Sequence, residues 1–200
     1  MNHKVQINDK ITRLLVVSFF VLIGCESPYL KQDALKQSYI CLKIKNDLGR
    51  LSNERKPYFF LMAKSIEEEN EVSDSTINSI KRISSDINRK LATYKKMLQE
   101  LKTNHKDSRF IDATLQFIEI DENLESQNGL LVNSLLNPES DMDIRKQLAE
   151  NLKIAMLKMT EFQDEFKTRE SKFHSDNSIF QKEVDSIVDV INREVDSIDI

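Results

Sequence analysis

Residues 75–104 read STINSIKRISSDINRKLATYKKMLQELKTN, and in them Ile77, Ile80, Ile87, Leu91, Tyr94, Leu98 and Leu101 recur by threes and fours, with only Ser84 breaking the seam beside Ile83. A helix turns once every 3.6 residues, so this spacing puts the apolar side chains on one stripe that must be covered by other helices. A helix over 75–104 reaches about 45 Å, the length of a bundle or coiled-coil element. Ser73, Asp74 and Ser75 offer N-caps before it, and Thr103 to Ser108 reads as the turn after it.

The same periodicity continues downstream. Phe110, Phe117, Leu124 and Leu131 lie seven residues apart and predict a helix from about Ser108 to Leu136. Its middle, DENLESQNG from Asp121 to Gly129, is the most polar stretch, and Gly129 suggests a bend, since Gly inside a helix costs about 1 kcal/mol relative to Ala. Asn137-Pro138 marks a stop, and Ser140 or Asp141 can cap a helix carrying Leu148, Leu152, Ala155, Met159, Phe162, Phe166 and Phe173.

Upstream, Leu35, Tyr39, Leu42, Ile44, Leu48 and Leu51 predict a helix from about Lys31 that ends between Gly49 and Ser52, with Pro57 opening a second, short helix. That piece contains YFFLMA from Tyr58 to Ala63, apolar all round and therefore either buried or a contact surface. At the other end, Gln181–Ile187 (QKEVDSI) recurs eleven residues later as Asn192–Ile198 (NREVDSI), a period that keeps apolar residues on one face of a nearly straight helix. Short connections between long helices predict antiparallel neighbours. The expected fold is thus all-α, an up-and-down antiparallel bundle of about four to five helices, with 177–200 as an amphipathic C-terminal helix that packs on the bundle or stands apart.

Composition agrees. The 200-residue chain has three Gly and three Pro (Gly24, Gly49, Gly129, Pro28, Pro57, Pro138), too few turn residues for an all-β protein. Its net charge is −4, or −6 without the first 24 residues, which carry Lys4, Lys10, Arg13 and Asp9. An acidic chain of interspersed sign argues against nucleic acid as a partner, because phosphate binding needs a clustered basic surface.

The N-terminus has a different organisation. Basic residues up to Arg13 precede the apolar run LLVVSFFVLI from Leu14 to Ile23, and Leu22-Ile23-Gly24-Cys25 follows at its end. Ten helical residues reach about 15 Å, half of the roughly 30 Å hydrocarbon thickness, so the run is the core of a signal segment rather than a span. The segment resembles a bacterial lipoprotein signal peptide with its lipobox. That resemblance implies cleavage between Gly24 and Cys25, a diacylglycerol on the Cys25 sulfur, and a third acyl chain on the new amino terminus. Two or three chains hold a protein on a bilayer where one is marginal. By the same resemblance, Glu26 is not the Asp that retains lipoproteins at the inner membrane, which favours the outer membrane; the face is left open. The expected organisation is signal peptide 1–24, lipidated tether 25–30 and helical domain 31–200.

Reactive constellations are sparse. With Cys25 lipidated, Cys41 is the sole remaining thiol and no internal disulfide can form. Cys41 shares a stripe with Ile44, Leu48 and Leu51, so a small core residue is favoured over a reactive thiol. His105 sits in the turn NHKDS. Glu170 and His174 form an i, i+4 pair, short of the ligands a zinc or di-iron site needs. Glu67, Glu68, Glu69 and Glu71, like Asp121, Glu122 and Glu125, read as solvated carboxylates. Met142, Met156 and Met159 could suggest soft-metal capture, but Met159 lies on the apolar seam and packing is favoured. Tyr58, Phe59 and Phe60 could form one small aromatic patch.

No catalytic residue, cofactor or metal site is expected. In layout the mature chain is similar to the small helical lipoproteins of bacterial envelopes. The leading expectation is a non-enzymatic protein-interaction or scaffold module on the membrane, with a homo-oligomer left open. Two alternatives stand beside it: a helical ligand-binding or sensor domain, near Asp121 to Gly129, and an immunity or inhibitor lipoprotein against an exported toxin or hydrolase. Buried polar residues around a cavity would favour the ligand-binding alternative, and a solid Leu/Ile/Phe core would exclude it.

Overall fold

The computed structural model describes residues 28–104, 107–137 and 139–196; the signal segment, Leu22 to Cys25, His105 and Pro138 lie outside the described residues. Among the described residues the chain is all-helical: α1 Pro28–Glu67, α2 Asp74–Lys102, α3 Arg109–Leu136, α4 Met142–Asp176 and α5 Gln181–Asp196. None of these is long and apolar enough to cross a membrane. Ser73 caps α2, its Oγ accepting the Thr76 amide at 3.3 Å, and the Asp141 carboxylate caps α4 by accepting the Asp143 amide at 3.2 Å.

Ion pairs fix the directions. Glu54 with Arg82 and Asp47 with Lys90 run α1 against α2; Lys95 with Glu122 and Lys102 with Asp112 run α2 against α3. Arg109 with Asp176 does the same for α3 and α4. The four long helices therefore go up and down, while α5 turns back along α1, tied by Lys31–Glu183 and Lys43–Glu194 and by burial of Ile179, Val184 and Ile191.

The bundle is not square. α1 packs on α2 and reaches across to α3, and α3 packs most extensively on α4, whereas α1 and α4 meet only sparsely. Where α3 faces α4, Phe110, Phe117, Phe162, Phe166 and Phe173 interlock with ring centroids 5.3–6.4 Å apart. Every predicted seam residue of α2 from Ile77 to Leu98 is buried except Tyr94, which is half-buried.

Two sequence expectations are corrected. α1 does not end near Gly49 to restart at Pro57; it runs unbroken for 40 residues, with Pro57 inside it. Proline removes one helical hydrogen bond, to the carbonyl of Asn53, and here that residue is exposed, where water can serve the carbonyl. Leu51, Phe59, Met62 and Ile66, buried on both sides of the proline, hold the helix in one piece. Likewise α3 passes through Gly129 as continuous helix.

A Cβ at Gly129 would meet nothing within 4 Å. Gly129→Ala is therefore expected to stabilise the fold by about 0.5–1 kcal/mol through helix propensity, read as a rise of about 1–4 °C in melting temperature.

Candidate binding groove

A buried polar layer divides the core. Below it lies the larger apolar cluster, around Leu48, Ile87, Leu91, Phe110 and Phe166; above it lies a second, around Phe59, Met62, Ile77, Ile80, Leu131 and Leu152. The layer itself is Arg55 from α1, Ser84 from α2, and Asp121, Glu125 and Asn128 from α3. Arg55 is 1% exposed. Its Nη1 donates to Ser84 Oγ at 2.7 Å and to Glu125 Oε2 at 2.6 Å, and its Nη2 pairs with Glu125 Oε1. Asn128 Nδ2 donates to the same Ser84 hydroxyl at 2.8 Å, and the guanidinium stacks 4.5 Å from the Phe59 ring centroid.

Asp121 is different. It is 2% exposed and joins none of these hydrogen bonds; its Oδ1, like Asn128 Oδ1 and Arg55 Nε in the same layer, is buried without a hydrogen-bond partner. Burial, aided by the Glu125 charge and opposed by Arg55, pushes its carboxyl from 3.8 up to about 7. The expectation that Asp121 and Glu125 are solvated carboxylates is thus overturned, since α3 turns that polar stretch inward. Glu67, Glu68, Glu69 and Glu71 do lie exposed.

Asp121 looks into a long groove between α1 and α4. Three hollows of about 690, 430 and 650 Å³ follow one another along it. The first and second share Lys56, Phe59 and Met156; the second and third share Gly49, Asn53, Phe117 and Gln163. Asp121, Phe59, Leu124, Met156 and Met159 line the middle hollow.

The sequence explains the gap. Facing positions carry short side chains, Gly49, Ser52 and Ala63 on α1 and Ala149 and Thr160 on α4, so the helices have little to fill the space with. They are clasped at the ends, by Lys146–Glu69 at 2.5 Å on one side and by Lys45–Glu170 at 3.2 Å with Ser38–His174 at 3.0 Å on the other. Phe60, 70% exposed, and Met156, 39% exposed, stand on opposite walls.

Other residues singled out in the sequence fall elsewhere. Cys41 is fully buried, its thiol pushed up to about 12 mainly by burial, in keeping with a packing role. His174 is buried against Ser38 and lowered by burial, while Glu170 is engaged by Lys45. No group of three or more His, Cys, Asp or Glu among the described residues is placed to hold a metal. Met159 is buried in the core, Met142 packs on its edge, and Met156 faces the groove.

Sequence reading missed Arg55, and it noted Ser84 as a break in the α2 seam and Asn128 within a polar stretch without giving either a role. Their signal was present as polar residues on apolar stripes. Arg55 lies between Leu51 and Phe59, Ser84 sits in the α2 seam, and Thr114, Asp121 and Asn128 repeat every seven residues beside the phenylalanine seam of α3.

Two outcomes follow from this layer. Arg55→Met, by leaving Glu125 buried without its counter-charge, is expected to cost about 3–5 kcal/mol in denaturant unfolding, and adding Glu125→Met should recover most of it. A raised acid binds its proton more tightly in the folded state, so Asp121 contributes stability that is complete below about pH 4 and is lost as pH rises to about 7. Asp121→Asn should therefore be more stable than wild type at pH 8, by about 1–4 kcal/mol, with the difference shrinking steadily toward pH 4. His174, lowered and so favouring the fold as pH rises through 6.5, is common to both proteins and cancels in the difference.

No family model, curated protein or solved structure matches this chain, so the chemistry of the groove rests on the residues that line it.

Proposed function

We propose that the protein is a lipid-anchored bacterial envelope protein that works by binding rather than catalysis, with the α1/α4 groove as its binding site. The observation that carries this is Asp121, a buried carboxyl with one unpartnered oxygen that lines the middle of a continuous groove, polar and apolar in equal measure there and mostly apolar toward both ends. Such a lining, with a few fixed polar groups, is the ordinary construction of a ligand site. The groove lining contains neither His nor Cys, which leaves it without the usual nucleophile–base pairing. Between the two leading sequence-based expectations, buried polar residues around a cavity favour ligand binding over a purely scaffolding role.

A second reading has one observation behind it. Phe60 and Leu61 are 70% and 50% exposed side by side on α1, an apolar spot that suits a protein partner. The anchor itself rests on the lipobox resemblance at Leu22, Ile23, Gly24 and Cys25 and favours the outer membrane.

The test has two arms on one set of cells. Wild type should incorporate labelled palmitate and sediment with membranes, and Cys25→Ala should do neither; equal behaviour of the two would remove the anchor. Native mass spectrometry of protein purified from those membranes should find a bound species in wild type that is absent from Gly49→Leu, a variant that fills open groove space without meeting any atom near the Cβ. Identical spectra for both would remove the groove as the binding site.

A further inference from the structure

Building on the binding reading, we propose that the middle of the groove is a site for an organic cation, an alkylammonium or alkylguanidinium group whose charge sits on Asp121 and whose stem lies along Phe59, Phe117, Met156 and Met159. Charge within the polar layer is unbalanced: Arg55 meets Glu125 through both terminal nitrogens, which leaves the second carboxylate, Asp121, without a counter-ion in the layer. The guanidinium is held between Glu125, Ser84 and the Phe59 ring and is not free to turn to Asp121.

From the groove side, the other cation lining this hollow is Lys56, which is exposed at its mouth. Ser52, Asn53, Thr160 and Gln163 complete the polar lining. None of these four is ionised, and the buried cation of the lining, Arg55, has both terminal nitrogens taken by Glu125 and Ser84 with only its Nε unpartnered, so Asp121 has no cation of its own. An anion finds no free cation on this floor, since Arg55 is already paired with Glu125, and a neutral alcohol could satisfy one oxygen of Asp121 without stabilising its ionised form. Burial and Glu125 hold the empty carboxyl near neutrality, and a bound cation would return it to the ionised form. The thioether and aromatic side chains that line the same hollow as Asp121 suit the methylene stem and the polarising head alike.

The test uses the full chain in phosphatidylcholine nanodiscs, with methionine methyl groups labelled with carbon-13, and hexylammonium, hexylguanidinium, hexanol and hexanoate as probes. The expected result is saturable movement of the Met156 and Met159 resonances by the two cations, about tenfold or more tighter than by hexanol, with hexanoate weakest. Asp121→Asn should bring the cations down to the affinity of hexanol and leave hexanol itself unchanged. Equal binding of hexylammonium and hexanol, or an unchanged cation affinity in Asp121→Asn, overturns the cation site while leaving the groove as a binding surface. If no probe moves either methyl group, the groove reading falls with it. A short peptide, acetyl-Leu-Leu-Lys-Leu-Leu-amide, run beside hexylammonium separates the two sources of such a group: tighter binding of the peptide assigns the site to a lysine side chain, and tighter binding of the amine to a free amphiphile.

Discussion

The Arg55–Glu125 ion pair, closed off from water between two apolar clusters, ties α1 and α3 to one level. A buried ion pair adds little net stability, because desolvating both charges costs about as much as their attraction returns, yet it is intolerant of misplacement. Any slip of α1 along α3 by one turn, about 5.4 Å, would strand a guanidinium or a carboxylate in hydrocarbon. Ser84 adds α2 to the same constraint by accepting from Arg55 and from Asn128. The apolar seams supply the bulk of the driving force, since each buried Leu, Ile or Phe contributes about 1.5–3 kcal/mol, but repeated by threes and fours they could pair in more than one register. The polar layer selects one.

That selection has a geometric consequence for α4. No member of the layer comes from α4, which joins the bundle through α3 and its phenylalanine cluster. Held across the diagonal against α3, α1 leaves α4 on its far side, tied to it by Lys45 with Glu170, by Ser38 with His174 and, just past the end of α1, by Glu69 with Lys146. The groove is therefore a product of the same contacts that fix the register. Gly49, Ser52 and Ala63 on one wall and Ala149 and Thr160 on the other keep it open, and α5 closes its end with Val188 and Ile191.

Much of the fold was legible because one-dimensional periodicity maps directly onto helix faces. The seams of α2, α3 and α4 needed no tertiary information, and the capping choices narrowed to Ser73 to Ser75 and to Ser140 or Asp141, whereas the return of α5 along α1 was left open. The failures share a cause. Gly49 and Pro57 are local stop signals, weighed correctly as propensities, but a stripe buried on both sides of them outweighs a penalty of about 1 kcal/mol for Gly and about 3 for Pro. DENLESQNG reads as solvated by composition, whereas its phase on α3, Asp121 and Asn128 seven residues apart and in step with Thr114, turns the acids inward. Phase was available in the sequence; what could not be read there was Arg55, some 70 residues away, which makes burial of Glu125 tolerable.

Asp121 is the one member of the layer that this architecture does not need. Arg55, Glu125, Ser84 and Asn128 form a connected set without it, and an Asn or Leu at 121 would spare the fold the desolvation of a second carboxyl. Local features that work against stability with no compensating contact are where functional constraint is to be sought. Its position reinforces the point, because the unpartnered oxygen belongs to the residue that lines the middle hollow, whereas Glu125, the paired acid one turn later, does not. The polar layer thus separates into two jobs along a single helical turn of α3: Glu125 holds the register of the bundle, and Asp121 presents charge to whatever enters between α1 and α4.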